Sequence, residues 1–166
     1  ISFAEMLQQQ DKHGQAVQEY QVFMEAFSEQ GLDSRALWGK AWSLWDLGRF
    51  TEAASVFEKV YALNPDQEMR ADSLMKAADS HFAEGQFNAA AEIYRRFSEE
   101  FQTHAQRGQA RFQEAESFAQ AEDFDRAIEL LEDIARESAG GPEAGTAAYR
   151  RALMLERAKR YEDAVL

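Results

Sequence analysis

Three tryptophans, Trp38, Trp42 and Trp45, stand four and three residues apart, the spacing that puts side chains on one face of a helix. Indole rings on a shared face offer stacking and apolar contact, and Trp and Tyr supply much of the binding energy where a partner is desolvated. Covalent and acid–base chemistry have no comparable arrangement. The chain has no cysteine, and its histidines, His13, His81 and His104, fall in separate segments with no i, i+4 pair and no carboxylate set to orient them. There is no glycine-rich phosphate loop and no nucleophile elbow, and the carboxylates are dispersed with no pair set apart. The expectation is no enzyme activity, no metal and no cofactor within these residues.

Charge narrows the partners. Thirty Asp plus Glu against eighteen Lys plus Arg give the 166 residues a formal charge of -12, which repels phosphate backbones and excludes nucleic acid as the expected partner. Uncharged stretches are too short and polar to span a bilayer, so no direct membrane insertion is expected. The sequence opens at Ile1 and stops in mid-pattern at Leu166, as a piece of a longer chain would. Hydrophobic residues make up 45% and prolines number only two, which suits a helical domain with a core.

A repeat organises the chain. Ala4, Ala41, Ala78, Ala115 and Ala152 are each 37 residues apart, as are Ala16, Ala53, Ala90, Ala127 and Ala164. A ring column accompanies them at His13, Phe50, Phe87, Phe124 and Tyr161, which reads His13 as a packing residue rather than a general base. A large column holds Tyr20, Phe57, Tyr94 and Leu131, and serine recurs at Ser43, Ser80 and Ser117. Two invariant columns without a gap leave little room for coincidence, so the units are taken as 34–70, 71–107 and 108–144, flanked by partial units 1–33 and 145–166.

Within a unit the apolar spacing is helical: Leu37, Ala41, Leu44 and Leu47 mark a first helix, and Ala53, Phe57 and Val60 a second. Breaks are expected at Gly48-Arg49, Gly85-Gln86, Glu122-Asp123 and Lys159-Arg160, with Thr51, Asn88 and Asp125 opening the second helices as capping acceptors. Second helices should stop near Asn64-Pro65 and before Gly140-Gly141-Pro142, because proline cannot continue a helix. Such a hairpin cannot bury its apolar face alone. The small residue in each helix lets backbones approach, and stacking neighbours completes the core.

These columns resemble the tetratricopeptide repeat family: a small residue in the first helix, Gly then a ring at the turn, Ala and a ring in the second helix, and Pro on the way out. Leu37, Ala41, Gly48, Phe50, Ala53, Phe57 and Pro65 match best. Residues 71–107 keep Leu74, Ala78, Gly85, Phe87, Ala90 and Tyr94 but have Gln102 for the proline, and 108–144 have Glu122 for the turn glycine and Arg111 for the early large residue. The resemblance implies an all-α, right-handed α-solenoid of stacked antiparallel hairpins, and a non-catalytic scaffold for a protein or peptide partner. The 37-residue unit is longer than the family's usual 34 and looks like those of bacterial envelope members, an expectation of a periplasmic or envelope setting.

Family geometry, carried over by column, sets the first helices along the concave face. It offers Trp38, Trp42 and Trp45, then Met75, Asp79 and Phe82, then Phe112, Glu116 and Ala119, then Tyr149, Leu153 and Glu156. Trp38, Met75, Phe112 and Tyr149 would form an apolar ladder. The bland reading of a Trp stripe is packing between hairpins. Only Arg35, Lys76 and Arg150 are basic nearby, so a clamp for a C-terminal carboxylate is not expected there. Two alternatives compete with the scaffold: a glycan- or lipid-binding module using the Trp stripe, and a structural segment of a longer solenoid or a homo-oligomer joined through uncapped ends. Charge is uneven, with ten acids against three bases in 108–144. That is read first as a solvated face and second as steering of a basic partner or head-to-tail association.

Overall fold

The computed structural model describes residues 2–26, 34–63 and 66–159. Among them run α1 (Ser2–Gln9), α2 (His13–Ala26), α3 (Ser34–Asp46), α4 (Phe50–Leu63), α5 (Gln67–Ala83), α6 (Phe87–Glu100), α7 (Arg107–Gln120), α8 (Phe124–Glu137) and α9 (Pro142–Arg157). Every regular element described is a helix, as the spacing required. Contacts gather the chain into two compact units, Ile1–Gly85 and Gln86–Leu166. Within each, helices consecutive in sequence pack on one another, and in the second α7 also meets α9. A chain whose elements touch mainly their sequence neighbours is stabilised as a series of local interfaces.

The alanine columns are the tightest points of that packing. Ala4, Ala41, Ala78 and Ala115 are at most 3% exposed, and Ala16, Ala53, Ala90 and Ala127 are wholly buried. Ala152 is only half-buried, and Ala164 lies outside the described residues. In the first unit Leu37, Leu44, Phe57 and Val60 build one core cluster and Leu7, Ala16 and Tyr20 another. In the second, Ile128, Leu131, Ile134 and Leu155 do so. Leu47, expected on the buried stripe, is exposed, because α3 ends at Asp46 and the chain has already begun to turn.

The repeat is written into the backbone as well. Asp11, Gly48, Gly85, Glu122 and Lys159, each 37 residues from the next, all have positive φ, from 58° to 76°. After Asp11, Gly48 and Glu122 the next amide reaches back five residues, as in Arg49 N to the Leu44 carbonyl at 2.9 Å and Asp123 N to that of Phe118 at 2.8 Å. This closure satisfies carbonyls that a helix end leaves without partners. Glycine takes the left-handed conformation freely, whereas Asp11, Glu122 and Lys159 hold it against steric resistance.

Because that turn is so short, the second helices begin one residue before Thr51, Asn88 and Asp125, at Phe50, Phe87 and Phe124. The expected capping roles are corrected accordingly: α6 has no side-chain cap, and in α8 it is Asp123 whose Oδ1 accepts from Arg126 N at 3.2 Å. Pro142 sits at the first position of α9, where its missing donor costs nothing. The expected stop at Asn64-Pro65 lies outside the described residues, as does Tyr161 of the ring column.

Successive hairpins meet through a second register. Gln21, Glu58, Arg95 and Glu132, again 37 apart, stand on second helices, and Lys40, Ala77, Glu114 and Arg151 keep the same stride on the first helices that follow. Lys40 Nζ donates to Gln21 Oε1 at 2.6 Å, and Arg151 Nε to Glu132 Oε1 at 2.8 Å. Burial lowers the Lys40 pKa, with Lys59 adding to it. Ala77 is buried and leaves the Glu58 carboxylate 3.4 Å from His81 Nε2. Arg95 instead bonds Glu92 and Glu99 on its own helix.

Candidate partner-binding site

The aromatic stripe rests on α3. Its inner face is fixed by Ala36, Leu37, Ala41 and Leu44, each at most 3% exposed, so the positions one step round carry Trp38, Trp42 and Trp45 along the margin of the core. All three are half-buried and pack on the cluster around Phe57. Trp38 meets Phe57 edge-on at 5.6 Å and Trp42 does so at 5.7 Å, with interplanar angles of 74° and 87°. Trp42 lies 5.8 Å from Trp38 and 6.5 Å from Trp45, and Trp45 meets Phe50 at 5.0 Å. Each indole is thus held by neighbouring rings in the edge-to-face geometry that aromatic quadrupoles favour.

Lys76 completes the arrangement from α5. Its ammonium stands 5.5 Å from the Trp42 ring centre and 5.4 Å from that of Trp45, close enough for attraction to both π faces, and Asp79 Oδ2 holds it at 2.8 Å. A lysine aimed at two rings orders a patch that is half apolar and half charged. Such a patch can grip an apolar side chain of a ligand and the polar backbone beside it.

The other expected residues divide. Met75 is 3% exposed and Ala119 is wholly buried, so both leave the candidate surface, Met75 on α5 where it packs against α4 and Ala119 on α7 between α6 and α8. Phe82 is half-buried. In the second unit Phe112 is half-buried with the Arg150 guanidinium 4.9 Å from its ring centre, while Tyr149 is 66% exposed. Of the basic residues near the stripe, Arg35 is engaged by Glu5 at 2.7 Å.

Two arrangements escaped the sequence reading. Gly39 is pressed against the Tyr20 ring, so a Cβ there would collide with its hydroxyl end. The Tyr20 hydroxyl donates to Gln8 Oε1 at 2.6 Å, and Gln8 Nε2 donates to the Gly39 carbonyl at 2.9 Å. Burial, helped by Glu5, pushes the Tyr20 pKa up to about 12. The second arrangement is a polar cavity of about 320 Å³ lined by Arg95, Ser98, Glu99, Gln102, Arg107, Arg111, Glu114 and Leu130. Its signal was available: Arg111 and Glu114 stand where other units have Leu37, Leu74 or Ala77.

His13, half-buried at the start of α2, has Nδ1 3.5 Å from Asp46 Oδ2. Among the described residues no cluster of three or more metal-binding side chains forms, and no helix is long and apolar enough to cross a membrane.

The chain is similar to known repeat proteins along its whole length. The family model for the tetratricopeptide repeat matches residues 3–68 and 112–166. A model named for subunit 3 of the anaphase-promoting complex, or cyclosome, matches 46–134 and spans the gap. None of the curated proteins matches in sequence. Among solved structures, the TPR-like repeats of a Podosopora anserina kinesin light chain protein align over 98% of this chain and 86% of their own, with TM-score 0.68 and 18% identity. MamA from Desulfovibrio magneticus RS-1 aligns over 99% and 86%, with TM-score 0.68 and 15% identity. YrrB, a TPR protein with an unusual peptide-binding site, aligns over 99% and 78%, with TM-score 0.67 and 20% identity. At these identities the likeness is one of fold, an all-α helical-repeat solenoid.

Proposed function

The chain belongs to the tetratricopeptide repeat family, and from that premise we propose that it is a non-catalytic scaffold holding a peptide segment or helix of a protein partner. The reading places the partner on the margin formed by Trp38, Trp42, Trp45, Lys76 and Asp79. The observation that carries it is the Lys76 ammonium poised over two half-buried indoles. Repeat proteins bind through the side chains their helices display, and rings already ordered by Phe57 and Phe50 lose little entropy when a partner covers them. Phe82 extends this surface along α5, and Phe112 and Tyr149 provide aromatic contact in the second unit.

Partner capture from the source proteome, quantified for the parent chain, Trp42→Phe and Lys76→Glu, tests the reading. Trp42→Phe keeps an aromatic edge for Phe57, so thermal melting is expected to stay close to the parent. Lys76→Glu is expected to weaken capture at least about tenfold, since it deletes the cation over the rings and adds repulsion from Asp79. Capture unchanged in both variants would remove the stripe from the function. Saturable quenching of Trp fluorescence by a glycan or lipid instead of a peptide would favour the small-ligand module.

A further inference from the structure

The polar cavity of the second unit has no role in the scaffold reading and stands independently of it. It opens where α6, α7 and the start of their connection meet Leu130 of α8. In two of the repeat's other joints the paired positions bond directly, Lys40 to Gln21 and Arg151 to Glu132. Here they do not. Glu114 is 5% exposed and forms part of the cavity wall, and Arg95 bonds Glu92 and Glu99 in its place. A carboxyl in a cavity wall that makes no bond to the paired arginine can meet a group that enters the cavity.

The surrounding charges indicate what that is. From α6 the wall receives Arg95 and Glu99, and Glu92 also bonds Arg95; α7 contributes Arg107 and Arg111 beside Glu114; and α8 contributes the apolar Leu130 to the wall and its last residue, Glu137, to Arg107 and Arg111. Arg95 Nη1 donates to Glu99 Oε1 at 2.7 Å, Arg111 Nη1 to Glu137 Oε2 at 2.6 Å, and Arg107 Nε to the Ser98 carbonyl at 3.3 Å. Glu99 and Glu137 are 60% and 52% exposed, whereas the Arg111 side chain is 11% exposed. Arg111 is therefore held in place, Arg95 and Arg107 are 45% and 37% exposed, and the carboxylates on them can swing into solvent. Burial pushes the Glu114 pKa up to about 7 against the pull of Arg95 and Arg111, so this wall residue gains its charge across the neutral range and is mostly protonated below it.

We propose that this cavity is an oxyanion site, in which Arg95, Arg107 and Arg111 receive a carboxylate, sulfate or phosphate group and the Glu114 carboxylic acid hydrogen-bonds it. Guanidinium forks match such planar or tetrahedral anions, and the ligand replaces Glu99 and Glu137 like for like while meeting Glu114 at the cavity wall. The site is built from residues of the second compact unit, whereas the aromatic stripe is built from residues of the first.

Titration of the full chain with sodium sulfate at constant ionic strength, followed by the arginine side-chain NMR signals, tests this at about pH 6 and about pH 8, a range in which sulfate keeps its charge. Saturable binding, tighter by about fivefold or more at the lower pH, is expected. Glu114→Gln is expected to keep binding and lose its pH dependence, and Arg111→Gln to weaken it about tenfold. If Arg111→Gln lowers the melting temperature, the more exposed Arg107→Gln serves with the same expectation. A short peptide with a free C-terminal carboxylate, compared with its amide, separates the sources: preference for the free acid assigns a protein carboxylate, and sulfate binding without it assigns a free oxyanion. Absence of saturation, survival of binding in both arginine variants, or a pH dependence that persists in Glu114→Gln would overturn the proposal.

Discussion

At the scale of single residues, two side chains set local stability through space and solvation rather than type. Gly39 is required because the Tyr20 ring lies where a Cβ would be, and that ring is anchored to Gln8. Gly39→Ala is expected to cost about 1–3 kcal/mol by displacing Tyr20, despite alanine's better helix propensity. Chemical denaturation checks it, with a midpoint equal to or above the parent's as the contrary result. Glu114 makes stability depend on pH with a definite sign. Its folded pKa of about 7 exceeds the ordinary 4.5, so between these values the native state holds a proton that the unfolded chain has released. Its favourable contribution is complete below the lower value and is lost as pH rises through the upper, a swing on the order of 3 kcal/mol. Glu114→Gln should therefore be more stable than the parent near pH 8 and nearly equal to it at about pH 5.5, as paired urea titrations would reveal. An identical difference at both pH values would contradict the burial argument.

At the scale of elements, the helical hairpin is defined by its reversal. The five positive-φ positions recur at the same stride as the alanines, yet only Gly48 and Gly85 are glycines. Glu122→Gly should accordingly raise stability by up to about 1 kcal/mol, while Gly48→Ala should lower it by about 1 kcal/mol. Opposite shifts in the denaturation midpoint are the signature, and shifts of the same sign would mean that unfolded-chain entropy outweighs the backbone preference. The break between helices was legible in sequence at Gly48 and Gly85, and the register carried it to Glu122, a residue that does not announce a turn. Helix starts were less legible. Thr51, Asn88 and Asp125 have the chemistry of caps, but the tight reversal starts each helix one residue before them, at Phe50, Phe87 and Phe124.

At the scale of the whole molecule, charge governs behaviour that no single contact does. A formal charge of -12 and an isoelectric point of about 4.7 predict a solubility minimum near that pH and recovery above about pH 6, where self-repulsion returns. Light scattering against pH checks this, and it sets the lower bound for the titrations of Glu114. The sequence by itself determined the helical class, the stride of 37 and the buried alanine columns, because a repeated interface demands the same small residue wherever two backbones approach. It also placed the tryptophans on one helix face, since spacing alone fixes a direction around the axis. Which side of that face is covered was decided by tertiary packing: Met75 turns inward while Tyr149 remains exposed, although they share a column. The same holds for Glu114, Lys40 and Arg151, which occupy one register and meet different partners. Burial and pairing depend on what the neighbouring helix presents at that point, and only folding brings those two stretches of chain together.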